Sequence, residues 1–141
     1  MKILEFRFWD NKKKKFIHDD QYDILGVDST GDAISCSTES CESPLSYMND
    51  SITVEQFTGL FDNTDKKIFD GDIVKVTNKA SQNGIKVVTW DDINLCYALV
   101  WPERYSENCN SNDGYTYNKV SLGIHCTILG NIHENPELLT F

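Results

Sequence analysis

Residues 57–76 read FTGLFDNTDKKIFDGDIVKV, and the reading of this stretch decides the fold. Two runs with strand character flank the polar segment Asp62–Lys67, and the second run is broken by Asp70-Gly71-Asp72. These acids either gather for a metal or a proton, or they let a strand begin. An EF-hand ladder counted from Asp62 puts Thr64, Lys66 and Lys67 where acids, amides and a glycine are required, so it fails. Asp, Asn and Thr side chains bond their own backbone and build turns. Gly71 supplies the positive φ that a tight exit from Ile68-Phe69 into Ile73–Val76 would need. The stretch is therefore read as strand, turn, short strand, turn, strand, with Asp70, Gly71 and Asp72 as a structural turn.

The same grammar extends outward. Asn83-Gly84 is a strong two-residue hairpin signal joining 73–77 to Ile85–Trp90. Asp91-Asp92 turns the chain again before the β-branched and aromatic run 93–101. YTYNKV (115–120) and GIHCTILGNI (123–132) supply the last strands, and Asn135-Pro136 fits the N-cap and first position of a terminal helical turn. Toward the N-terminus residues 3–9 alternate, with Leu4, Phe6 and Phe8 on one side, and Asp10 through the four lysines Lys12, Lys13, Lys14 and Lys15 read as a hairpin loop. Phe16-Ile17 and Tyr22–Leu25 are short returning strands. From 28 to 50 the apolar pattern fades into Ser, Asp and Glu, which reads as a long loop with one helical turn at Ser43-Pro44, and 102–118 reads as a second polar loop.

Short strands with turns every eight to twelve residues indicate a mainly β fold. Residues 68–133 offer five strands, enough for a small SH3-like barrel, preceded by an N-terminal β-hairpin region and followed by a short helical turn. The length of 141 residues is that of a single domain, 1–141, long enough to bury roughly 68–70% of its unfolded surface. Two lobes, 1–50 and 51–141, are the other division open at this point.

Composition bounds the partners. Net charge is −9, mean hydropathy is −0.41 and the isoelectric point is about 4.6. Without Lys12–Lys15 the chain has 9 basic residues against 22 acidic ones, a balance of −13. Polyphosphate backbones are bound by Lys and Arg, so the acidic balance of the chain as a whole argues against nucleic acid as a partner. No apolar run approaches a membrane span, and the start MKILEFRFWD has no uninterrupted apolar core of a leader. Five cysteines without pairing spacing read as reduced thiols, which implies a cytoplasmic setting.

Chemistry-bearing groupings are sparse. Cys36 and Cys41 are spaced too widely for a zinc knuckle, and Cys96, Cys109 and Cys126 supply no second pair. His125 and Cys126 are adjacent on a strand and so point to opposite faces, which rules out a direct nucleophile–base pair. No metal and no cofactor is expected. Trp90, Tyr97, Trp101 and Tyr105 could stack bases on a barrel face, but only Lys86 and Arg104 lie near them, opposed by Asp91, Asp92 and Glu103. They read instead as core and partner-binding residues.

Three blocks carry a family resemblance. Phe6–Asp10 (FRFWD), Gln56–Asp62 (QFTGLFD) with Ile68–Val74 (IFDGDIV), and Gly130–Leu139 (GNIHENPELL) occur in order across nearly the whole chain. Together they resemble the YopX family of phage and prophage proteins. The resemblance implies a mostly-β fold in a bacterial or phage-encoded intracellular protein, and it brings no catalytic residues. The loops 28–50 and 102–118 are longer than the family pattern and lie outside what it informs. The expectation is a non-enzymatic phage-type β protein working through protein contacts as a homo-oligomer, with a nucleic-acid-associated accessory role as the alternative.

Overall fold

The structure, a computed structural model, describes residues 4–17, 24–36, 46–47, 51–77, 84–92, 95–105 and 125–140. Among them are eleven strands and two single-turn 3-10 helices, with no α-helix. The strands are β1 (Phe6–Asp10), β2 (Lys15–Phe16), β3 (Ile24–Val27), β4 (Ala33–Cys36), β5 (Ser46–Tyr47) and β6 (Ile52–Phe61). They continue with β7 (Lys67–Phe69), β8 (Asp72–Val76), β9 (Gly84–Asp91), β10 (Cys96–Val100) and β11 (Cys126–Asn131). The fold is mainly β, with an SH3-like curled sheet in the C-terminal part and a terminal 3-10 turn.

The chain forms two compact units, one of Phe6–Glu55 and one running from Gln56 onward with the residues up to Glu5. The boundary falls inside β6, whose first four residues belong to one unit and whose last six belong to the other.

In the first unit β1 and β2 pair antiparallel, with Trp9 across from Phe16. Trp9 meets the Phe16 ring edge-on at 5.0 Å, and the Arg7 guanidinium lies over the same ring at 4.8 Å. Arg7 also forms an ion pair of 2.6 Å with the buried Glu55. The Asp10 carboxylate accepts the amides of Lys12 and Lys13, which fixes the turn and leaves Lys12–Lys15 exposed. Ile17, Ala33 and Ile52 form this unit's core, with Phe8 and Val54 against it.

Part of the stretch expected to be loop is sheet. β3, β4 and β5 form an antiparallel three-stranded sheet, so strands occupy 33–36 and 46–47 within 28–50. The cause is local: Asp28 Oδ1 accepts the amides of Thr30 and Asp32 and the Thr30 hydroxyl, and Gly31 sits at φ +92°. This self-bonded turn closes a hairpin that apolar alternation did not announce. The helical turn expected at Ser43-Pro44 lies outside the described residues, as do the strand expected over 115–120 and residue Asn83.

In the second unit the sheet order is β10-β9-β8-β11, all antiparallel, and β7 pairs with the end of β6. Among the described residues five strands run between 67 and 131: β7 forms at the short apolar pair Ile68-Phe69, β8, β9, β10 and β11 fall where strands were expected, and the strand expected over 115–120 is not among the described residues. Alternation sends neighbouring residues to opposite faces. Val74, Val76, Val88, Leu99 and Cys126 pack with Ile68 in one cluster. Ile73, Val87 and Val100 form a second, against which Tyr105, Ile132, Leu138 and Leu139 pack.

β6 is not a plain strand. Its register against β7 shifts between Phe57 and Phe61, and Gly59 lies there at φ +86°. The Thr58 hydroxyl donates to the Ile68 carbonyl (2.8 Å) and accepts the Leu60 amide (3.2 Å). Thr58-Gly59 is thus a β-bulge, which only glycine enters without strain.

The terminal turn, Pro136–Leu139, is a 3-10 helix, and Asn135 does not cap it with its side chain. Its Oδ1 faces back to accept the Asn131 amide at 3.3 Å, in the space beside Gly130 where a Cβ would otherwise sit.

Candidate functional site

The turn at 70–72 lies at the root of the curled sheet. Gly71 takes φ +82°, its amide donates to the Val88 carbonyl, and its carbonyl accepts from Ile132, each at 2.9 Å. Buried Asp72 accepts the Phe69 amide at 2.8 Å. Asp70 holds the Gln56 carbonyl through its backbone amide. Gly84 heads β9 at φ +138° and pairs with Val76, so it is a member of the ladder and not the second residue of the two-residue turn expected at Asn83-Gly84.

Sequence reading treated Asp62 as an ordinary turn residue, but it is buried and central. Its Oδ1 accepts the amides of Thr64 and Lys66 and the Thr64 hydroxyl, while Oδ2 reaches β11 to accept the Ile128 amide at 3.0 Å. Burial pushes its carboxyl up, yet the Ile128 amide, the Thr64 hydroxyl and the two local amides outweigh it and hold the group at about 2. Nearby Cys126 is buried, and its thiol is pushed up to about 11 by burial, then by the charges of Asp62 and Asp72. A thiol so held stays protonated at neutral pH, the opposite of an activated nucleophile. Among the described residues no three His, Cys, Asp or Glu side chains come together as a metal site.

The aromatic candidates divide. Tyr97 on β10 sits across from Trp90 on β9, and the rings meet edge-to-face at 5.1 Å. Trp90 is 40% exposed, whereas Tyr97 packs against the Ile68–Leu99 cluster. Burial and then the Asp70 carboxylate push the Tyr97 hydroxyl up to about 12. Trp101, directly after β10, carries the Lys86 ammonium 3.0 Å from its ring centre. Tyr105 lies elsewhere, against the Ile73–Val100 cluster, with its amide bonded to the Trp101 and Pro102 carbonyls. Three of the four aromatics therefore belong with Lys86, Val88 and Leu99, and the fourth does not.

Lys86 reads in the sequence only as a basic neighbour of the aromatics, not as a buried residue of the sheet. It is 5% exposed, and burial pulls its amine down to about 8, opposed by the Glu103 carboxylate. The signal was available: period two along Ile85–Trp90 puts Lys86 on the face of Val88 and Trp90.

These features define a small, strand-built protein whose curled sheet presents a supported aromatic pair. The chain belongs to the YopX family: the family model described as YopX protein matches residues 5–140. Among solved structures, protein EF1440 from Enterococcus faecalis is similar at 21% identity and a TM-score of 0.53, over 99% of this chain and 100% of that one. Protein yopX from Bacillus subtilis is similar at 19% identity, again with a TM-score of 0.53 and over 99% of this chain and 100% of that one. At these identities the likeness concerns the fold alone. No curated protein matches the chain. No helix among the described residues is long and apolar enough to cross a membrane.

Proposed function

We propose that this protein is a non-enzymatic, phage-type β protein that works through protein contacts and associates with itself in the cytoplasm. The observation that carries the reading is Trp90, 40% exposed yet held in place by the Tyr97 ring. Tryptophan and tyrosine offer a large contact area at low entropy cost, and such residues dominate protein interfaces. The test is light scattering of the full chain at micromolar concentration, beside Trp90→Ser. A mass above the monomer in the parent, falling toward the monomer in the variant, supports the reading. A monomer across that range removes self-association, and an oligomer unmoved by Trp90→Ser removes Trp90 as its anchor.

A second reading, a nucleic-acid-associated accessory protein, is favoured by one observation. Lys12–Lys15 stand exposed on a hairpin stiffened by Asp10, Trp9 and Phe16. The acidic balance of the rest of the chain weighs against it.

A further inference from the structure

Lys86 projects from the middle of the curled sheet, across from Val74 on β8, with its ammonium seated on the Trp101 ring. Gly84 makes room for that ring, since a Cβ there would come within 3.0 Å of Trp101 Cζ3. Among the described residues no carboxylate forms an ion pair with the ammonium. Glu103, exposed on the 3-10 turn that follows Trp101, acts on it only through its field.

An ammonium has three N–H donors, and a ring face engages it as a cation without accepting all of them. Burying a charge without a counter-ion opposes folding. A methionine or leucine would fill the same space beside Val74 and Val88 without that opposition. The Trp101 ring and the Glu103 field offset part of that cost but accept none of the N–H groups in hydrogen bonds, whereas an anion arriving at the ammonium would supply acceptors.

We propose that Lys86 and Trp101 form a binding site for a small oxyanion, a carboxylate or phosphate group whose oxygens accept the N–H groups that the ring leaves open. Trp101 holds the ammonium in position before the anion arrives, and Gly84 keeps the ring close. The site is separate from the exposed Trp90 and does not depend on self-association.

The test is thermal unfolding of the full chain in acetate and in inorganic phosphate, each against sodium chloride at equal ionic strength, with indole emission followed in parallel. The parent midpoint should rise by several degrees and saturate in one of the two anions, which tells carboxylate from phosphate. The emission should change along the same curve, and Lys86→Met should lose both responses. A parent that responds no more than it does to chloride overturns the proposal. A Lys86→Met variant that responds like the parent also overturns it, as an adventitious ion only. Should that variant fail to fold, the Lys86 ε-15N resonance of the parent decides: it must shift along the same saturation curve, and an unmoved resonance overturns the site.

Discussion

Asp62 and Lys86 are both buried and both charged, and they differ in what surrounds the charge. Four donors converge on the Asp62 carboxylate, while the Lys86 ammonium rests on a ring. Removing Asp62 strands the Ile128 amide and unties the 62–66 turn at once. Asp62→Ala should therefore cost about 3 kcal/mol in urea unfolding. The pH dependence follows from a folded carboxyl at about 2 against an ordinary value of 3.8. The unfolded chain takes up the proton first, so the contribution is complete above about pH 4 and is lost as pH falls toward 2. The stability gap between the parent and Asp62→Asn should close over that window. Lys86 has the same sign of pH dependence for a different reason: its charged form costs stability, whereas the charged form of Asp62 supplies it. Its folded amine lies at about 8 and its ordinary value is 10.5, so between those values the unfolded chain binds more protons and parent stability rises with pH. Lys86→Met should be more stable than the parent by about 1 kcal/mol at pH 7, with the gain shrinking toward pH 10. Denaturant unfolding at both pH values checks it. The turn-forming half of Asp62 was legible, because aspartate bonding to amides two to four residues ahead is a local habit. Its reach to Ile128 was not, since no local pattern announces a contact 66 residues away.

At the scale of elements, the turns hold the strands in register, and two of them depend on a missing side chain. Gly71 lies at φ +82° with both backbone groups committed, to Val88 and to Ile132. A Cβ there strains the turn by about 1–2 kcal/mol, and a β-branched residue strains it further. Gly71→Val should thus unfold at lower denaturant than Gly71→Ala. Asp72→Asn should stay close to the parent, with no dependence on divalent cations. Gly130 is coupled to its neighbour instead: a Cβ would overlap the Asn135 carboxamide. Gly130→Ala should cost about 2 kcal/mol, and less in an Asn135→Ala background, because the overlapping group is then gone. A double-mutant cycle in urea checks the coupling. The Asp-Gly-Asp turn was legible because residue type and required φ coincide. The β3–β4 hairpin was not, since four-residue strands carrying Ser, Ala and Cys lack an alternating signal strong enough to separate them from loop.

For the molecule as a whole, the spacing of turns gave the fold class, while the placement of charge sets what the protein can approach. Alternation reports which residues share a face, so it reached the β-rich architecture, but it cannot report where one strand passes between two compact units, as β6 does. Charge shows the same division between total and arrangement. The total of −9 hides a stiff tip of four exposed lysines on a chain otherwise at −13. Distant charges are screened beyond about 8 Å at physiological salt, so a phosphate at the tip feels the lysines more than the net charge. Four contacts are still few. Each neutralised phosphate contributes about −0.9 to the dependence of log affinity on log salt, so the tip supports a slope of about −3.6 and no more. Duplex DNA should bind with a Kd weaker than about 1 μM at 0.15 M salt, and fluorescence anisotropy with a labelled 30-mer across a salt series measures both quantities. Weak binding that steepens no further than this slope matches a protein-contact role. Submicromolar binding at that salt, abolished when Lys12–Lys15 are replaced by glutamine, would instead make the hairpin the working surface and the nucleic-acid reading the better one.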